Sequence, residues 1–89
     1  MNDTESRRWS VYIVRCADDS LYTGITTDLG RRLHEHNNAR VGAKYTRARR
    51  PVDLVYEERA ESRSQASKRE KEIKNLSQKQ KLMLIMESS

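Results

Sequence analysis

WSVYIVRCADDSLYTGITTDLGRRLHEHN, residues 9 to 37, holds two short apolar runs, a polar break between them, and a helix-like segment. Residues 9–16 carry Trp, Val, Tyr, Ile and Val, side chains that favour a pleated surface, and read as a strand. Ala17-Asp18-Asp19-Ser20 has turn chemistry, because Asp and Ser side chains bond back to nearby backbone. Leu21 to Ile25 is a second strand, so the pair predicts a β-hairpin. Thr27 or Asp28 can cap the helix that follows. Leu29, Leu33 and either His36 or Asn37 recur at helical spacing and form its inward stripe, with its end at Asn37-Asn38.

Working outward, Val41 to Arg50 is a basic connection with room for a short helical turn. Pro51 discourages helix just before it. Val52 to Tyr56 predicts a third strand. Ser62-x-x-Gln65 and Ser77-x-x-Gln80 are capping-box patterns that open two further helices. The last helix, with Leu82, Met83, Leu84, Ile85 and Met86, is the most apolar segment and is expected to pack on the sheet. The order β-β-α-β-α-α gives an α/β fold, a small three-stranded, mainly antiparallel sheet flanked by helices. The expected organisation is a polar tail over 1–8, one domain over 9–86, and a short tail over 87–89.

At 89 residues the chain is one domain, and a domain of this size buries only about 60% of its unfolded surface. Its longest apolar runs are too short to span a membrane. The start, MNDTESRR, has no apolar signal region. A single cysteine, Cys16, allows no internal disulfide and suits a reducing cytoplasm. The net charge is +5, and it is concentrated. Residues 30 to 50 hold seven basic groups against one acidic, Glu35. Such a local excess is the footprint of a phosphate-backbone binder, with nucleic acid as the partner. Its members are Arg31, Arg32, Arg40, Lys44, Arg47, Arg49 and Arg50. A solvated basic face without a partner is the bland alternative.

Individual residues sharpen this. On the third helix, Glu70 lies four residues after Ala66 and three before Ile73, on the same inward stripe. A carboxylate there is costly unless it is paired or binds a metal. A structural salt bridge to a buried arginine is the competing reading. On the first helix, Arg32 and His36 are i,i+4 neighbours. Leu29 and Leu33 place Arg32 beside the sheet and Arg31 toward solvent. Arg32 suits a phosphate because its planar fork makes two hydrogen bonds. Tyr12 and Tyr22 are ambiguous singly. An even-length turn on Asp18-Asp19 pairs Tyr12 with Ile25 and sets the two rings on opposite faces. Only an odd connection or a bulge lets them cooperate. His34, His36 and Cys16 lack zinc-site spacing. No Ser-His-Asp set, P-loop or dinucleotide fingerprint is present.

Taken together, these residues resemble the GIY-YIG nuclease superfamily, in particular its small stand-alone members. The first motif falls on Ser10-Val11-Tyr12, the second on Tyr22-Thr23-Gly24. The helix arginine falls on Arg32 in GRRLHEHN, with His36 four residues on, and the glutamate falls on Glu70 in REKEIK. The match runs from about Trp9 to Leu84. Ser10-Val11 and Thr23 depart from the family's usual residues at packing positions, and the only asparagine after Glu70 is Asn75.

The resemblance implies metal-dependent hydrolysis of DNA phosphodiester bonds, in the setting of DNA repair or recombination. Glu70 would hold one divalent ion, Mg²⁺ or Mn²⁺, with several waters. Arg32 would hold the scissile phosphate. Tyr22 would help deprotonate the attacking water, with Tyr12 positioning it and His36 as the alternative base. A nucleic-acid-binding module on the same fold that does not cleave is the second reading, and a protein-interaction domain the third.

Overall fold

The computed structural model describes residues 8–38 and 43–88. Most of the expected N-terminal tail, Arg40 and Ser89 lie outside the described residues. Strands β1 (Trp9–Arg15) and β2 (Leu21–Thr26) are followed by helices α1 (Leu29–Asn38) and α2 (Lys44–Arg47). Strand β3 (Asp53–Ala60) and helices α3 (Arg63–Lys74) and α4 (Gln78–Glu87) complete the chain. The β-β-α-β-α-α order is observed, with α2 as the short helical turn in the basic connection. The sheet order is β2-β1-β3, and β1 is antiparallel to both neighbours.

The hairpin has an odd connection. Five residues, Cys16 to Ser20, lie between the strands, so Tyr12 pairs with Gly24 and Val14 with Tyr22. That register sets Tyr12, Val14, Tyr22 and Gly24 on one face of the sheet. The turn closes as its residues suggest. The Asp18 carboxylate accepts hydrogen bonds from the backbone N–H and the hydroxyl of Ser20. Asp19 takes a positive φ of 67°, a conformation Asp tolerates better than most residues.

Each sheet face has its own apolar cluster. Val11 and Ile13 pack with Ala60, Ala66 and Ile73 under α3. Tyr12 and Val14 pack with Cys16 and Val52, and Tyr22, Leu29 and Leu33 close this side under α1. Asp28 caps α1 by accepting from the Arg31 N–H at 3.0 Å. The inward stripe ends on His36, which is fully buried. Asn37 instead clamps Val52, accepting from its N–H and donating to its carbonyl. That clamp ties the end of α1 to the start of β3.

Several details differ from the sequence reading. β3 runs on to Ala60, and a register shift between Ile13 and Val14 marks a bulge in its pairing. Ser77 and Gln80 form a complete capping box. Ser62 caps the Gln65 N–H, but Gln65 reaches past it to the N–H of Glu61. α4 has no buried residue and extends into the expected C-terminal tail. Leu84 and Ile85 touch the core, while Leu82, Met83 and Met86 are exposed. The physical reason is occupancy: α3, through Ala66 and Ile73, already covers that face. None of the helices among the described residues is long and apolar enough to cross a membrane.

Candidate active site

β1, β2 and α1 bring Tyr12, Tyr22, Arg32 and His36 together on the α1 side of the sheet. Tyr12 is the buried anchor. Its hydroxyl lies 2.8 Å from Nε2 of His36. The other ring nitrogen, Nδ1, lies 2.8 Å from the hydroxyl of Thr46 on α2. That hydroxyl donates to the Ala43 carbonyl at 3.0 Å, so it can only accept from His36. Nδ1 therefore carries the imidazole proton, and Nε2 accepts from Tyr12. The positive charge of Arg32 lies near the Tyr12 oxygen and favours negative charge on it. The result is a one-way chain of donors, Tyr12 to His36 to Thr46 to Ala43, with the Arg32 charge beside its first oxygen.

Electrostatics follow from burial. Burial, reinforced by the positive charge of Arg32, pushes the His36 imidazole down to about 4, so it is neutral near pH 7. Burial pushes the Tyr12 phenol up to about 12. Arg32 beside the hydroxyl opposes that rise, and the negative charge of Glu70 adds to it.

Glu70 approaches from the other layer. α3 lies against β1 and β2 on the opposite face from Tyr12, and β2 is an edge strand. The Glu70 side chain is 19% exposed and pairs with Lys74 at 3.0 Å. This is a half-exposed lysine one turn along the helix, not a buried arginine. Among the described residues, no three His, Cys, Asp or Glu side chains cluster as a metal cage. A lone carboxylate does not make a zinc site. It does suit a hard cation that keeps most of its waters and shares phosphate oxygens.

Tyr22 carries the site toward solvent. Its ring meets His36 edge-on, with centroids 5.3 Å apart, and stacks on Tyr45 of α2 at 5.8 Å and 24°. The guanidinium of Arg49 lies 4.0 Å over the Tyr45 ring.

The basic residues divide by role. Arg31 is exposed, and Arg32 pairs with Glu35 at 2.8 Å. Lys44 and Arg47 are exposed on α2. Arg49 is held by Asp18 at 3.1 Å. Arg50 turns inward and donates to the carbonyls of Glu35 and His36, where its charge complements the C-terminal end of α1. Thr46 and Tyr45 complete the site and were not singled out from sequence, while Asn37 was named only as a candidate for the inward stripe and end of α1. Gly24 also completes the site, and had a legible signal as the last residue of Tyr22-Thr23-Gly24.

Residues 8–83 match the model of the GIY-YIG catalytic domain. The chain is 56% identical over 86 residues to a UPF0213 protein of Desulfotalea psychrophila, covering 97% of this chain and 78% of that one. It is 54% identical over 77 residues to a UPF0213 protein of Staphylococcus saprophyticus, covering 86% and 93%. Among solved structures it resembles the solution NMR structure of a UPF0213 protein from Bacillus halodurans. There the TM-score is 0.57 and the identity 43%, over 89% of this chain and 83% of that one. A second NMR structure, of a protein from E. faecalis, aligns with a TM-score of 0.58 and 40% identity, over 86% and 82%.

Proposed function

The chain belongs to the GIY-YIG family, and on that premise we propose that it is a metal-dependent endonuclease that hydrolyses DNA phosphodiester bonds. The observation that carries this reading is the hydrogen bond between Tyr12 and His36, with the Arg32 charge beside the same phenol oxygen. A purely structural histidine needs no arginine and tyrosine lined up behind its acceptor nitrogen.

Arg32 would grip the scissile phosphate, which competes with Glu35 for its fork. The attacking water would lie against the Tyr12 and Tyr22 hydroxyls. As the water gives its proton to the Tyr12 oxygen, the Tyr12 proton would pass to Nε2 of His36. His36 is buried, with both ring nitrogens engaged, so protons reach it only through Tyr12. This arrangement favours His36, acting through Tyr12, as the base, with Tyr22 orienting the water. Both His36 and Tyr12 are neutral near pH 7, and neither is a strong base alone.

Glu70 would hold Mg²⁺ or Mn²⁺ once Lys74 swings away. When bound, that cation supplies charge neutralisation at the phosphate, acidifies water and stabilises the leaving oxygen. Exposed Arg31, Lys44 and Arg47 would follow the DNA backbone without reading bases, so binding should weaken steeply with salt. Arg40 belongs to the same proposal by sequence. A reducing cytoplasm and a role in DNA repair or recombination are the setting proposed for this activity.

The test is cleavage of labelled single-stranded, nicked, flapped and duplex DNA at low salt, with Mg²⁺, Mn²⁺ or chelator, by wild type and Glu70→Ala. Metal-dependent cutting lost in the variant is the expected result. The Lys74–Glu70 ion pair favours the second reading, a binding module; tight, salt-sensitive binding without cutting would select it.

A further inference from the structure

We infer that Tyr45 and Arg49 form a stacking platform for an unpaired nucleobase, so that the substrate carries an unpaired nucleotide next to the cleaved phosphate. The inference rests on the nuclease reading for its location and deepens it by naming the class of DNA.

Three observations carry it. First, Tyr45 is a large aromatic residue that remains 39% exposed, between the exposed Lys44 and Arg47 of the same helix. Its neighbours are aromatic or planar: Tyr22 stacks against it and the Arg49 guanidinium lies over it. Second, Arg49 is anchored as a plane and not poised as a phosphate clamp. Its Nε donates to Asp18 at 3.1 Å and its Nη1 to the Tyr45 carbonyl at 2.8 Å. Its own carbonyl accepts from the Ala17 N–H at 2.9 Å. Asp18 offsets its charge, so its attraction for phosphate is blunted while its flat face is fixed in place. Guanidinium and aromatic planes are the surfaces on which splayed-out bases stack. Third, the platform continues the site: Tyr22 touches both Tyr45 and His36. A base on the platform would belong to the nucleotide beside the phosphate that Arg32 and Tyr12 face.

In a duplex each base face is already covered by its neighbours, so the platform has nothing to take. A single strand, flap or gap offers an open face. The proposal reassigns Arg49 from backbone contact to base contact, and stacking is sequence-tolerant.

The experiment measures binding in chelator, so cleavage plays no part. The probes are a short single strand carrying one 2-aminopurine, the same strand with an abasic site there, and the blunt duplex. Wild type should quench the 2-aminopurine and bind the intact strand about tenfold more tightly than the abasic one. Arg49→Lys keeps the charge and loses the plane. It should lose the quenching and the preference while keeping the salt dependence. Tyr45→Leu should behave the same way, and Tyr45→Phe should retain both, which separates stacking from a folding defect. Equal binding of intact and abasic strands by wild type would overturn the proposal and leave the nuclease reading standing. So would an Arg49→Lys variant that keeps the preference. Quenching with the expected variant pattern, in a protein that never cuts with metal, would support the platform and sink the nuclease reading alone. No binding of any probe at low salt would overturn both.

Discussion

The ring of Tyr12 lies directly across its cross-strand partner Gly24: a Cβ built on Gly24 falls 2.5 Å from the Tyr12 hydroxyl oxygen and 2.7 Å from the carbon that bears it. The glycine is needed for close approach, since its backbone is not left-handed. Gly24→Ala must push the Tyr12 hydroxyl away from His36 and overpack a closed core. We expect a loss of about 1–3 kcal/mol in urea unfolding and a large loss of cleavage rate. A variant as stable and active as wild type would show that the ring has room to move.

Thr46 fixes the His36 tautomer. Thr46→Val keeps the shape but leaves the buried Nδ1–H without an acceptor, which costs about 1–3 kcal/mol. Thr46→Ser should retain both stability and activity. If Thr46→Val matches Thr46→Ser in thermal melts and in cleavage, the chain of donors does not pass through α2.

Thr23 offers the opposite sign. Its hydroxyl is buried with no hydrogen-bond partner among the described residues, on the face that carries Leu21 and Ile25. Thr23→Val exchanges an unsatisfied hydroxyl for a methyl group of similar volume. It should raise stability by about 1 kcal/mol, read as a higher urea midpoint. A lower midpoint would mean the hydroxyl has a partner, such as an ordered water.

His36 gives the fold a pH dependence. Its folded-state value is depressed to about 4 from an ordinary 6.5, so the unfolded chain takes up the proton first as pH falls. The stabilising contribution is complete above about pH 6.5 and is lost toward pH 4, at up to about 1.4 kcal/mol per pH unit. By NMR, the His36 ring signals should stay in the neutral position down to about pH 5. A midpoint near 6.5 would contradict the buried, Arg32-facing environment.

If Glu70 holds the proposed cation, its ion pair with Lys74 would compete with that cation. Lys74→Ala should lower the Mn²⁺ concentration needed for half-maximal binding, while Glu70→Gln should abolish that binding. Equal Mn²⁺ titrations for wild type and both variants would place the metal elsewhere.

Much of this was legible in the sequence because it is local or periodic. The two strands, the Asp18-Asp19 turn, a cap at Thr27 or Asp28 and an inward row of Leu29, Leu33 and either His36 or Asn37 all follow from turn chemistry and spacing, and the structure selects Asp28 and His36. The condition for the tyrosines to share a face was legible too, and the five-residue connection meets it. What was not legible depends on packing between distant segments. Thr46 and Tyr45 sit in a basic stretch with no apolar period, and only the docking of α2 makes them partners of His36 and Tyr22. Arg50 looked like its neighbours in charge, yet its fork closes the end of α1. α4 carried the strongest apolar signal and still lies at the margin, because hydrophobicity says that a helix seeks cover and not whether the cover is already taken.

The most direct measurement is single-turnover cleavage of a labelled DNA strand in Mg²⁺ at low salt, comparing wild type, Tyr12→Phe and Glu70→Gln, with strand affinity measured on the same samples. The account expects wild type to cut, Glu70→Gln to be silent, and Tyr12→Phe to be slower by about 10²–10⁴-fold, all three binding alike. Equal cutting by all three would put the chemistry outside this site, and a wild type that binds but never cuts would make the chain a DNA-binding module.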